Sequence, residues 1–156
     1  MNRKQWLCVL FTALLVLSPS IRADDSKVAA WAKQVIISTL TVDYRESDKD
    51  VDKMQVNYTL NAWDGVSTFL GPYLGRVRRE QLSLHPVAEN PPTIAYSGKI
   101  SAENLFPSMP YWRIELPVYI PELNVHITFS VLVIAVNAER PRYLIQSIDM
   151  TKQNGR

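Results

Sequence analysis

The sequence predicts an α+β fold in which helices pack on an antiparallel sheet of about four to five strands. Two observations carry this. Apolar residues recur at three- and four-residue steps from Ser26 to about Leu82, and at two-residue steps beyond it. Helical segments that come first, followed by an unbroken series of strands, leave no βαβ alternation from which to build a parallel sheet.

A short leader precedes this pattern. Arg3 and Lys4 stand before an apolar run from Trp6 to Leu17, and Ser18-Pro19-Ser20 follows it. Twelve residues are too few for a hydrocarbon core that needs about 20, but fit a secretory signal. Ile21-Arg22-Ala23 ends in a small residue, so cleavage is expected after Ala23, giving a signal peptide at 1–23 and one domain at 24–156. The alternative is an uncleaved signal that anchors the chain in the inner membrane. Of 156 residues, 133 would remain, enough for a single core. The leader holds three of the 17 basic residues, so 14 would face 15 acidic ones and the formal charge would fall from +2 to −1. That balance excludes a general nucleic-acid binder, which needs concentrated positive charge. The single cysteine, Cys8, lies in the leader. The domain therefore has no internal disulfide and must be stable through packing alone.

Element by element, Ser26 is expected to cap a helix whose buried stripe is Val28, Trp31, Ala32, Val35, Ile36 and Leu40, with its end placed at Tyr44. The charged stretch 45–53 reads as a solvated loop. Thr59 is expected to cap a second helix carrying Trp63, Val66, Phe69 and Leu70, interrupted at Gly71-Pro72. A short third helix from Pro72 to Leu82 would allow Arg76 and Glu80 to pair.

Strands are expected at 82–88, 93–100, 111–120, 125–136 and 142–150. In the third, Trp112, Ile114, Leu116, Val118 and Ile120 share one face. Pro117 has no N–H for a ladder, which places that strand at an edge or a bulge. Val125 to Val136 is long and apolar on both sides and reads as the central strand.

The search for reactive chemistry yields little. Asp48, Asp50 and Asp52 imitate the start of a calcium loop, but Lys53 stands where glycine is needed and Thr59 where a bidentate glutamate is needed. His85 and His126 each lack a partner at ligand spacing, and no nucleophile elbow is present. Arg76, Arg78 and Arg79 form the densest basic group, next to Glu80. No catalytic, cofactor-binding or metal-ligating residue is assigned.

Several stretches resemble the periplasmic domain of the DotI/IcmL family, inner-membrane components of type IVB secretion systems. These are Trp31-Ala32, Asp43 to Arg45, Tyr58-Thr59 with Trp63 and Phe69-Leu70, Pro110 to Val118, Val131 to Val136 and Leu144 to Ile148. The resemblance spans Val28 to Met150 and implies a nuclear-transport-factor-like cone with a curved sheet. Two departures stand out: Ala62 where a glycine is expected before the tryptophan, and a cleavable signal in place of a membrane-spanning helix.

The expected function is therefore non-enzymatic: a periplasmic protein that contacts secretion-system subunits or another copy of itself. It would touch a membrane only through partners or an uncleaved signal. Sheet edges and the aromatics Tyr73, Tyr111 and Tyr119 are the expected contact groups. The competing expectation is a small-ligand-binding protein or enzyme that uses the cone's pocket, which would bring Asp43, Tyr44, His85 or His126 together.

Overall fold

The computed structural model describes residues 20–100, 109–136 and 142–153. Among them are three α-helices, α1 (Ser20–Leu40), α2 (Asp48–Asp52) and α3 (Leu60–Arg79). Five strands follow: β1 (Val87–Ala88), β2 (Thr93–Ile100), β3 (Met109–Ile120), β4 (Val125–Ala135) and β5 (Tyr143–Gln153). The sheet is antiparallel throughout, with β3, β4 and β5 side by side and β1 and β2 sharing the other flank of β3. It does not close on itself, and the α+β expectation holds. The leader from residue 1 to 19 lies outside the described residues. Among those described, no helix is long and apolar enough to cross a membrane.

Helix α1 begins upstream of the cap expected at Ser26, which lies within it. Val28, Ala32, Val35, Ile36 and Leu40 form its buried stripe, while Trp31 is only half-buried. The helix stops at Leu40 and does not reach Tyr44. The run Thr39-Leu40-Thr41-Val42 is rich in β-branched residues, and extended pairing takes over. Leu84 N–H donates to the Val42 carbonyl and Tyr44 N–H to the Leu82 carbonyl.

The stretch expected to be a loop contains α2, and a 3-10 turn, Lys53–Asn57, follows directly on it. Ser47 and Asp50 build a capping box there: the carboxylate accepts from the Ser47 backbone N–H and from its hydroxyl at 2.7 Å. Helix α3 runs through Gly71-Pro72 without a break, which corrects the expected two-helix reading. Pro72 and Thr68 are both exposed, so the Thr68 carbonyl freed by the missing N–H is left to water. Ala62, Trp63, Val66, Leu70 and Val77 hold the whole helix to the sheet.

At its end, Leu82 N–H returns to the Val77 carbonyl and Gln81 N–H to the Arg78 carbonyl, with Gln81 left-handed at φ 53. This is a Schellman ending that has glutamine where glycine is favoured. Arg76 donates to both oxygens of Glu80 at 3.0 Å, as its spacing predicts.

Only Val87–Ala88 of the strand expected at 82–88 pairs in the sheet. The strand carrying Pro117 is an interior one, not an edge. Its partner on one side is β4, with Pro117 opposite Thr128, and on the other side β1 and β2 abut end to end. The Pro117 carbonyl accepts from Glu89 N–H at 3.0 Å, so its missing donor also points to that flank, into the gap between the two short strands. Bulges occur instead between Ile94 and Tyr96 and opposite Leu132 and Val133. Val125 to Ala135 is an interior strand, as expected, with Ile127, Phe129, Val131 and Val133 at 2% exposure or less.

Candidate functional site

Among the described residues, the layer between the helices and the sheet is closely packed. Between α1, α3 and the sheet, the space bounded by Ile36, Leu40, Val66, Phe69, Phe129 and Met150 amounts to about 10 Å³, the room of a single water at most. Trp112, Ile114, Leu116, Ile127, Phe129 and Val131, which the sequence places toward the core, are all buried. The polar exception is Thr39, 2% exposed, whose hydroxyl is shared between the Val35 carbonyl and the Tyr58 hydroxyl at 2.8 Å. Burial pushes the Tyr58 phenol up to about 12, against the Thr39 hydrogen bond, which lowers it.

Asp43, Tyr44, His85 and His126 do not converge on this space. Asp43 accepts from the Ser83 hydroxyl, and that bond leads in holding its carboxyl below the ordinary range. Tyr44 lies under the Arg45 guanidinium, 5.0 Å from the ring centre. His85 and His126 sit on the surface in two similar clasps. Glu122 accepts from the His85 backbone N–H at 3.0 Å and contacts its Nδ1 at 2.8 Å, while His126 Nδ1 meets Glu89 at 2.9 Å. Both clasps fasten the β1 segment to the β3–β4 turn. Among the described residues no three His, Cys, Asp or Glu side chains are grouped to hold a metal.

The sheet face turned away from the helices is a more extensive surface. Arg113 reaches from β3 across β4 to β5, donating to Ser130 at 2.8 Å, to Ser147 at 3.4 Å and to Asp149. Toward the β3–β4 turn, Tyr119 stacks on His126 with ring centres 4.3 Å apart. Toward the opposite end Tyr96 meets Tyr111 edge-on at 6.3 Å. Tyr73, Tyr111 and Tyr119, expected to be free anchors, are thus each half-buried against a neighbouring ring; Tyr73 packs on Phe69. The large apolar side chains that do face solvent are others, among them Leu60 at 75%, Val56 at 61%, Tyr96 at 55% and Ile100 at 44%. Their exposure depends on strand register and helix rotation, which periodicity alone does not specify.

The two sheet edges differ. Thr59 covers part of β5, its N–H donating to the Ile145 carbonyl and its hydroxyl to the Gln146 carbonyl, and Asp149 and Lys152 charge the remainder. Among the described residues no strand pairs with the outer edge of β2. Beside it runs an open groove of about 510 Å³ bounded by Ser26, Ala29, Ala30 and Lys33 of α1 and by Pro91, Pro92 and Ile94.

The geometry defines an open-sheet α+β domain with a packed interior and an uncovered sheet edge. Two solved structures share the fold. The periplasmic domain of DotI superposes with a TM-score of 0.64 at 18% identity, covering 81% of this chain and 94% of that one. An IcmL-like type IV secretion system protein from Legionella pneumophila superposes with a TM-score of 0.56 at 18% identity, covering 83% and 94%. The likeness read from scattered packing residues is therefore present in three dimensions, at the level of the fold. No protein-family profile matches the chain, and no curated protein is similar to it in sequence.

Proposed function

We propose that this chain is a periplasmic component or accessory of a type IVB secretion system, acting through protein–protein contacts without catalysis. The observation that carries the reading is the shared fold with the DotI periplasmic domain over four-fifths of the chain. The short leader supports export, and the space of about 10 Å³ between the helices and the sheet, too small for a substrate, favours a surface role over ligand binding inside the fold. Uncovered strand backbone and exposed apolar side chains supply the contact chemistry. The test is crosslinking in intact cells that encode a type IVB system, followed by mass spectrometry of the captured complexes and of the chain's own terminus. Secretion subunits in the complexes, with a chain beginning at Asp24, are the expected result. Capture of none, together with turnover of a small molecule by the purified chain, overturns the reading.

A further inference from the structure

The uncovered edge of β2 carries a self-complementary pattern. The Glu89-to-Pro117 hydrogen bond shows that odd-numbered residues of β3 turn their backbone groups toward β1 and β2. Their partners Tyr96, Gly98 and Ile100 therefore turn inward to β3, opposite Arg113, Tyr111 and Met109. The N–H and C=O groups of Ser97 and Lys99 point outward. Tyr96 and Ile100 lie on the outer sheet face and are 55% and 44% exposed, although both are large and apolar. They stand symmetrically, two residues either side of Gly98. Between them Gly98 has no side chain of its own and is overlaid by the Tyr111 ring.

The geometry points to a second copy of this chain as the occupant of that edge, its β2 added antiparallel across a two-fold axis at Gly98. In this register each Tyr96 faces the other copy's Ile100, an aromatic–β-branched pair of the kind that stabilises neighbouring strands, formed twice. The outward groups of Ser97 bond to those of Lys99 in the other copy, and the bulge at Ala95 lies beyond the paired residues. The α1 groove lies beside Pro91, Pro92 and Ile94, at the start of β2 and before the paired residues. Lys99 faces a serine and not its own counterpart. The two lysines are still diagonal neighbours on one face, so raising the salt concentration tightens the dimer by screening them. This inference rests on the protein-contact reading above and names one such contact.

The test uses the full chain with Cys8→Ser, in which Ser97→Cys and Lys99→Cys are introduced together. Directly opposed residues of a hydrogen-bonded pair lie about 5.5 Å apart at Cα, within disulfide reach. Mild oxidation in cells is expected to give a disulfide-linked dimer from the double variant and little from Ser97→Cys alone. Tyr96→Lys, at an exposed position that leaves the fold intact by circular dichroism, is expected to weaken self-association roughly tenfold or more in sedimentation. A crosslink from the single variant as strong as from the double, or self-association indifferent to Tyr96→Lys, overturns the register. A monomer at all concentrations overturns the dimer. Secretion subunits are captured or not independently of these readouts, so failure here is distinguishable from failure of the proposed function.

Discussion

The indole N–H of Trp112 donates to the carboxylate of Asp25 at 2.7 Å, tying the first helix to β3 across 87 residues of chain. Trp112 is 8% exposed, so its donor has no ready access to water once this acceptor is removed. Asp25→Ala should cost about 1–2 kcal/mol, the desolvation penalty of a stranded donor. Denaturant unfolding checks this: the midpoint should fall while the slope stays unchanged, and Trp112→Phe combined with Asp25→Ala should cost less than the two single changes added together. Additive losses would show that the bond contributes nothing.

Gln81 occupies a left-handed position, φ 53, at the end of α3, where a side chain is strained and glycine is not. Gln81→Gly should stabilise the fold by about 0.5–1 kcal/mol after the larger entropy of the unfolded glycine chain is subtracted. Thermal melting gives the answer directly, and a lowered midpoint would contradict the prediction.

Gly98 has the opposite constraint. A Cβ there would come 2.8 Å from the Tyr111 hydroxyl oxygen and 2.9 Å from the ring carbon that bears it. Gly98→Ala must push the ring aside and should cost about 1–2 kcal/mol. In the Tyr111→Ala background the same substitution should cost far less. Equal cost in both backgrounds would place the penalty elsewhere.

The buried phenol of Tyr58 makes stability sensitive to alkali. Its folded value, about 12, lies above the ordinary 10.0 because burial disfavours the phenolate. The unfolded chain therefore loses its proton first, so stability is full below pH 10.0 and declines as pH rises toward about 12. Tyr58→Phe should flatten that decline in urea titrations at stepped pH. An unchanged slope would mean that the phenol is solvated.

Acid acts through carboxyls held below their ordinary range. Asp50 is lowered to about 2, chiefly by the Lys53 ammonium, and Asp43 is lowered chiefly by the Ser83 hydroxyl. At Glu122 burial pushes upward, but the hydrogen bonds from His85 prevail. Each group binds its proton more weakly when folded. The support they give is present above 3.8 to 4.5 and fades as pH falls through the lower folded values. Glu122→Gln and Ser83→Ala should each make the acid limb of stability shallower. A limb unaltered by both would show that these carboxyls titrate alike in the two states.

Much of the sheet could be read before any coordinates, because a half-buried strand must alternate and Trp112 to Ile120 does so without a fault. Helix α3 was legible only in halves. Rules for proline describe an isolated helix, whereas Tyr73, Leu74 and Val77 pack on a sheet that sustains the helix beyond Pro72. Pro117 was read correctly as a residue without a ladder donor, but neither the edge nor the bulge expected of it is present. The gap it needs comes from two short strands meeting on one flank of β3, a tertiary arrangement with no local trace. The contact surface was the least legible part. Whether Tyr96 or Tyr111 faces solvent depends on which strand lies beside it.

The late position of β5 has a further consequence. Ile145 is wholly buried and lies in parallel register with Tyr58, so part of the cover of α3 comes from a strand far downstream in sequence. A nascent chain that lacks β5 leaves part of the apolar stripe of α3 unshielded, and contacts of such high sequence separation form slowly. The α3 stripe therefore stays available to other apolar surfaces until β5 has docked.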